Sequence, residues 1–125
     1  MKYLLDSDVI ISHLHQKADI NIDLSQKMNL SVITYGEVLY GIEKGGNPKK
    51  IMVFTDFIED FQLQILPLTQ MIIEQQVRLK IKFERLGQKL DDFDLFIAAT
   101  ALKHDLTLVT ANKRHFSRIP HLKLA

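Results

Sequence analysis

Asp6, Glu37 and Asp94 are far apart in the chain, yet each sits beside an apolar segment that reads as a buried strand or a core helix. Carboxylates crowded into one place repel one another, and each raises the pKa of its neighbours. A divalent cation relieves that cost. Mg²⁺ and Mn²⁺ prefer hard oxygen ligands and keep several waters, so a few carboxylates suffice to hold one. A cation held in this way polarises a phosphate, stabilises a leaving oxygen and lowers the pKa of an attacking water. Hydrolysis of a phosphodiester needs all three effects. The chain has no cysteine and no His-x-x-x-His pair, so an oxygen-ligated Mg²⁺ or Mn²⁺ is the metal these residues point to.

Taken one at a time, the acids also have bland readings. Asp6-Ser7-Asp8 has the composition of a helix cap and turn. Glu37, placed early in a helix, would complement the macrodipole. Asp92 reads best as an N-cap. Only convergence in space distinguishes a site from such local roles, so the elements that carry the acids decide the matter.

Lys2 to Leu5 reads as a buried strand ending at Asp6, followed by a helix from about Asp8 to His15. Leu30 to Ile33 reads as a second strand. Thr34 is then the expected cap of a helix that carries Glu37, Leu39, Tyr40 and Ile42 and stops at Gly45-Gly46. Asn47-Pro48 predicts an N-cap followed by proline at the first helical position, opening a helix through Phe54, Phe57, Ile58 and Phe61. Leu63 to Leu66 is a short strand stopped by Pro67. From Thr69 a long helical pattern runs to Gly87, with Ile72, Ile73, Val77, Ile81 and Leu86 on the expected apolar face. Asp92 opens the next helix, which runs to His104. Leu106 to Thr110 is a buried strand, and the tail holds a turn or short helix and a last edge strand near Leu122 to Leu124.

This alternation, with strands that are apolar throughout, predicts a three-layer α/β/α sandwich around a mainly parallel sheet. In such sheets ligands bind beyond the carboxyl ends of the strands, which is where the acids are expected. The 125 residues fit one domain over 1–125 with a core of its own. Lack of cysteine removes disulfide frameworks and thiol nucleophiles, as fits a cytoplasmic protein. Asp6 and Asp8 cut the N-terminal apolar stretch, which excludes a signal peptide there, and no run is long enough to span a membrane. With a formal net charge of +1, affinity for a nucleic acid must come from local placement of charge.

At these same residues the chain resembles the PIN-domain family, and within it the VapC-type toxins of bacterial toxin–antitoxin pairs. Tyr3-Leu4-Leu5-Asp6-Ser7-Asp8-Val9-Ile10 resembles the family's opening LLDTNV. Ser31-Val32-Ile33-Thr34-Tyr35-Gly36-Glu37-Val38-Leu39-Tyr40-Gly41 resembles its S-x-x-T-x-x-E-L-x-x-G segment. Asp92-Phe93-Asp94-Leu95-Phe96-Ile97-Ala98-Ala99-Thr100-Ala101 resembles D-x-x-I-A-A-x-A. Leu108-Val109-Thr110-Ala111-Asn112, followed by Phe116, resembles L-V-T-x-[DN]-x-x-x-F. The four segments keep the family's order and span nearly the whole chain.

The resemblance implies a metal-dependent endoribonuclease, usually a homodimer, with RNA as substrate and an antitoxin protein as partner. By motif position Asp6, Glu37 and Asp94 match the acidic core that binds the metal, and Thr110 matches a hydroxyl that supports the site. Asn112 stands where many relatives carry a fourth acid. His115 stands where many have Asp or Glu. Asp8 replaces a more usual asparagine and Ser7 a threonine. The departure at Asn112 keeps a second reading open, a PIN-like RNA- or protein-binding module with weakened catalysis. A response-regulator-like phosphoacceptor domain would need an isolated mid-chain aspartate at a strand end, and neither Asp56 nor Asp60 is so placed.

Phosphate binding needs cations near the acids. Lys44, Lys49, Lys50, Lys80, Lys82, Arg85, Lys89, Lys113 and Arg114 are the candidates. Lys80, Lys82 and Arg85 read as a solvated helix face, whereas Lys113 and Arg114 follow a strand edge beside Asn112. His13 and His15 read as structural, and Tyr35 and Tyr40 as packing residues that have the alternative of stacking on bases. The Phe54-Phe57-Phe61 set reads as core.

Overall fold

The computed structural model describes residues 2–15, 23 and 25–125. Five strands form one sheet: β1 (Lys2–Leu5), β2 (Lys27–Ser31), β3 (Gln64–Leu66), β4 (Thr107–Val109) and β5 (Lys123–Leu124). They lie in the order β3-β2-β1-β4-β5, and every neighbouring pair is parallel. The helices are α1 (Ser7–Leu14), α2 (Val32–Gly45), α3 (Pro48–Asp60), α4 (Gln70–Arg85), α5 (Asp92–Lys103) and α6 (Lys113–Phe116).

The pleat sorts the core onto two faces, because adjacent residues of a strand point in opposite directions. Leu4 and Leu108 face Leu79 and Phe83 of α4, Leu95 and Ala98 of α5, and Phe116 of α6. Leu5, Val109, Met28 and Leu30 face Ile10 of α1, Val38 of α2, and Phe54 and Phe57 of α3. This is the expected three-layer sandwich. Each such leucine, wholly removed from water, contributes roughly 1.5–3 kcal/mol. Among the described residues no helix is long and apolar enough to cross a membrane.

The chain winds from β1 through β2 to β3 on one side, then returns to place β4 and β5 on the other. The topological switch point therefore lies between β1 and β4, and it opens a crevice beyond their carboxyl ends. Asp6 directly follows β1 and Thr110 directly follows β4.

Several boundaries differ from expectation, each for a local reason. The second strand ends at Ser31, not Ile33, because the Ser31 hydroxyl accepts from Ile33 N at 3.1 Å and so caps α2. Thr34 is not the cap; it is buried inside the helix. Glu37 consequently lies deeper in α2 than a first-turn residue, where the macrodipole has little to say about it. Asp92 is not a cap either. Asp91 takes the N-cap position, and Asp92 reaches across to α4, 3.0 Å from Lys80 Nζ and 3.2 Å from Gln76 Nε2. Lys80 is thus engaged with Asp92 rather than merely solvated.

The largest correction concerns α4. Its buried face is Ile72, Gln76, Leu79 and Phe83. Of the stripe expected to face the core only Ile72 does so, while Ile73, Val77, Ile81 and Leu86 are exposed. Two apolar rows run along this helix, and the sequence pattern does not say which one meets the sheet. The caps at Asn47 and Thr69 stand as expected, accepting from Lys49 N at 3.1 Å and Ile72 N at 3.3 Å. Gly46 and Gly87 close α2 and α4 in the left-handed region, at φ 72° and 67°, where a side chain would be strained.

Candidate active site

The site begins with a backbone bond. Asp6 N donates to Val109 O at 2.9 Å, which continues the β1–β4 pairing one residue past the end of β1. Asp6 then turns out of the sheet and caps α1, its Oδ1 accepting from Ser7 N at 2.8 Å. The cap reading of Asp6 is therefore correct for one oxygen, and the other is left for a contact outside the helix. Its Oδ2 accepts from Thr110 Oγ1 at 2.8 Å. A threonine hydroxyl has one hydrogen to give, and the Asp8 oxygen at 3.4 Å is the weaker claimant. Thr110 Oγ1 in turn accepts from Asn112 N at 3.0 Å. Asp8 lies next to this network, with its Oδ2 3.3 Å from Ala111 N.

Glu37 comes up from α2 and Asp94 from the first turn of α5. Their electrostatics show that they share a neighbourhood with Asp6. Burial drives the Asp6 carboxyl up from its ordinary value of 3.8 to about 6; Asp8 and Asp94 push the same way, against the hydrogen bonds from Thr110 and Ser7. Glu37 is raised by burial and then by Asp6 and Asp94, with the Ser7 hydroxyl and Asp91 acting in opposite senses. Asp94 is raised by burial, is partly relieved by His115, and is pushed up again by Asp91 and Asp8. Crowded acids that all resist ionisation at one crevice are what a bound cation would relieve.

Among the described residues, no three acidic or histidine side chains stand close enough as placed to hold a metal ion. The donor set nonetheless suits one. Glu37 Oε1 is buried without a hydrogen-bond partner, an arrangement that costs free energy unless something donates to it or binds it. Asp6, Glu37 and Asp94 offer only hard oxygens, the donors that Mg²⁺ and Mn²⁺ prefer.

The other expected residues fall on both sides of the reading. Thr110 is in the network and buried. Asn112 takes part through its backbone, and its side chain makes no capping bond. His115 reaches the site, with Nε2 3.2 Å from Asp94 Oδ2. His13 packs its ring 5.1 Å from that of Phe57, and His15 ends α1, as structural histidines do. Tyr35 stacks against Phe54 at 5.7 Å. Tyr40 does not pack inward; it is 66% exposed, beneath Lys44. Sequence reasoning missed Asp91 and Arg118. Asp91 looked like one more helix-start acid, while Arg118, three residues after His115 on the same turn, donates to His115 Nδ1 at 3.2 Å.

Comparison with known proteins agrees with this fold. A family model described as PIN domain matches residues 3–122, and the chain belongs to that family. "Ribonuclease VapC2" of Haemophilus influenzae is 31% identical, covering 98% of this chain and 96% of its own length. "tRNA(fMet)-specific endonuclease VapC" of Salmonella typhimurium is 27% identical, covering 99% and 96%. Among solved structures, DNA-bound VapBC from Salmonella typhimurium superposes with a TM-score of 0.88 at 28% identity, over 100% of this chain and 97% of that one. VapBC2 from Rickettsia felis, bound to a promoter DNA fragment, gives 0.83 at 25% identity, over 100% and 98%.

Proposed function

We propose that this chain, a single PIN-like domain over residues 1–125, is an endoribonuclease that hydrolyses RNA phosphodiester bonds and acts as the toxin of a type II toxin–antitoxin pair. Asp6, Glu37 and Asp94 hold its divalent cation, Mg²⁺ or Mn²⁺. The observation that carries this reading is the upward shift of all three carboxyls near the β1–β4 switch point, burial acting first on each, with Asp94 also raising Asp6 and both of these raising Glu37, whose Oε1 is buried and unpaired. The relatives, one named a ribonuclease and one a tRNA(fMet)-specific endonuclease, each matched over 96% of its length, support it.

Each residue has a physical task. Asp6 is oriented by two hydrogen bonds, from Ser7 N and from Thr110 Oγ1, so little freedom is left to lose when it binds. Thr110 is itself fixed by Asn112 N. Glu37 and Asp94 approach from helices on opposite faces of the sheet. A cation bound there supplies charge neutralisation for the phosphate and a more acidic water as nucleophile. With no cysteine in the chain to serve as a thiol nucleophile, water is the attacking group in this reading.

Two partners follow from the same reading. The structural neighbours are toxin–antitoxin complexes, which supports an antitoxin partner. An apolar cleft of about 260 Å³, lined by Ile11, Leu14, Val38 and Ile42 among others, offers a seat for one of its segments. The exposed row Ile73, Val77 and Ile81, spaced one helical turn apart, supports a homodimer formed through α4.

The test is cleavage of RNA with Mn²⁺ or Mg²⁺. Asp6→Asn, Glu37→Gln and Asp94→Asn are each expected to reduce the rate by about 100-fold or more while the far-UV circular dichroism is kept. Full activity in all three variants would overturn the reading. An inactive wild-type chain that still bound RNA or a protein partner would instead favour the binding-module alternative, which the amide at Asn112 supports.

A further inference from the structure

Asn112, Arg114, His115, Ser117 and Arg118 line a cleft of about 510 Å³. It adjoins the acid pocket through His115, whose Nε2 lies 3.2 Å from Asp94 Oδ2. On the other side of the ring, Arg118 approaches Nδ1 at 3.2 Å. A guanidinium can only donate, so Nδ1 is the acceptor in that contact. His115 thus stands between the acid pocket and a cationic cleft.

Among the described residues no carboxylate neutralises the arginines of that cleft. Among the described residues Lys80 is paired with Asp92 and Lys123 with Asp105, whereas neither Arg114 nor Arg118 forms an ion pair with a carboxylate. A chain of net charge +1 that gathers acids at its reaction centre repels a polyanion there. Guanidinium groups without a carboxylate partner next to the acids offset that repulsion, and their planar donor fork matches phosphate oxygens.

We propose that the Asn112–Arg118 cleft is a phosphate subsite, in which Arg114 and Arg118 seat the RNA backbone phosphate adjacent to the one that is cut. The assignment rests on the ribonuclease reading above and identifies where that substrate is held.

The test separates the two claims. In an Asp6→Asn background with Mn²⁺ present, binding of a labelled single-stranded RNA is followed by fluorescence anisotropy across a salt series. Arg114→Ala and Arg118→Ala are each expected to weaken binding about 5- to 10-fold and to flatten the slope of log K against log salt by about 0.7 for each phosphate no longer held. In the otherwise wild-type chain the same substitutions raise KM more than they lower kcat, and Arg118→Lys restores part of the salt slope. A merely structural role for either arginine would leave the slope unchanged. An unaltered affinity and slope in the Arg114→Ala/Arg118→Ala double variant, with wild-type cleavage intact, would overturn the subsite and leave the ribonuclease reading standing. A wild-type chain that neither binds nor cleaves RNA would overturn both.

Discussion

Thr110 Oγ1 donates to Asp6 Oδ2 at 2.8 Å, joining the residue that follows β4 to the residue that follows β1. The two strands are neighbours in the sheet, so this bond closes the switch-point crevice with side chains just where the backbone ladder stops. It also fixes the direction of the most buried acid of the site. Asp6 is only 5% exposed, and without the hydroxyl its Oδ2 would have to find another donor.

Removing that hydroxyl is therefore expected to cost more than its own bond. Thr110→Val leaves Asp6 Oδ2 and Asn112 N without their present partner, at about 1–3 kcal/mol of stability for an unmet buried group. Cleavage of RNA falls with it, because Asp6 loses its orientation. Thr110→Ser keeps the hydroxyl and should retain most of both properties. Urea denaturation of the two variants measures the stability difference. A loss in the serine variant with none in the valine variant would mean that the methyl group, not the hydrogen bond, matters at this position.

The raised Asp6 pKa makes a signed statement about stability. Folding lifts it from 3.8 to about 6, so the folded chain holds that proton more tightly than the unfolded chain does. Stability must then fall as pH rises between those values, and the full penalty, about 3 kcal/mol, is present above pH 6. Glu37 and Asp94 are shifted in the same direction. Asp6→Asn abolishes the titration, so the variant should gain stability over wild type at pH 7 and little at pH 4 when no divalent cation is present. Mn²⁺ should raise the wild-type melting temperature at pH 7 and lose that effect as protons compete near pH 5. A Mn²⁺ shift of equal size at both values would separate the cation from these carboxyls.

The exposed row on α4 predicts an oligomeric state. Val77→Lys and Ile81→Lys replace side chains that are 45% and 42% exposed, so the fold should tolerate them. If α4 is the contact between two copies, sedimentation should show a dimer for the wild type and a monomer for the double variant. A dimer that survives both lysines would move the contact to another face.

Much of the architecture can be read from local rules. Asn47-Pro48, Thr69 and Gly87 mark helix ends through their own chemistry, and the strands announce themselves as short apolar runs beside turn residues. Leu4 and Leu5 do not need to be told apart by sequence, since in a sheet covered on both faces each finds a core. The acids at 6, 37 and 94 were legible as a family pattern, because types and intervals survive in one dimension. Where two local signals compete, the sequence falls short. Ser31 and Thr34 are both good caps, and Ser31 prevails because β2 ends there against β3, where Ser31 pairs with Leu66. Asp91 and Asp92 can each open α5, and Asp92 is drawn instead to Lys80 on the neighbouring helix.

The sequence by itself determined the parallel α/β plan, the residue types at the candidate site and the ends of most elements, since propensity, capping and patterning act within a few residues of chain. Tertiary structure alone decided which row of α4 is buried, that Asp6 and Thr110 share a hydrogen bond, and that His115 is held between Arg118 and Asp94. Those outcomes depend on strand order and on the contacts between helices, and a side chain's pKa, partner and exposure follow from what lies beside it in space.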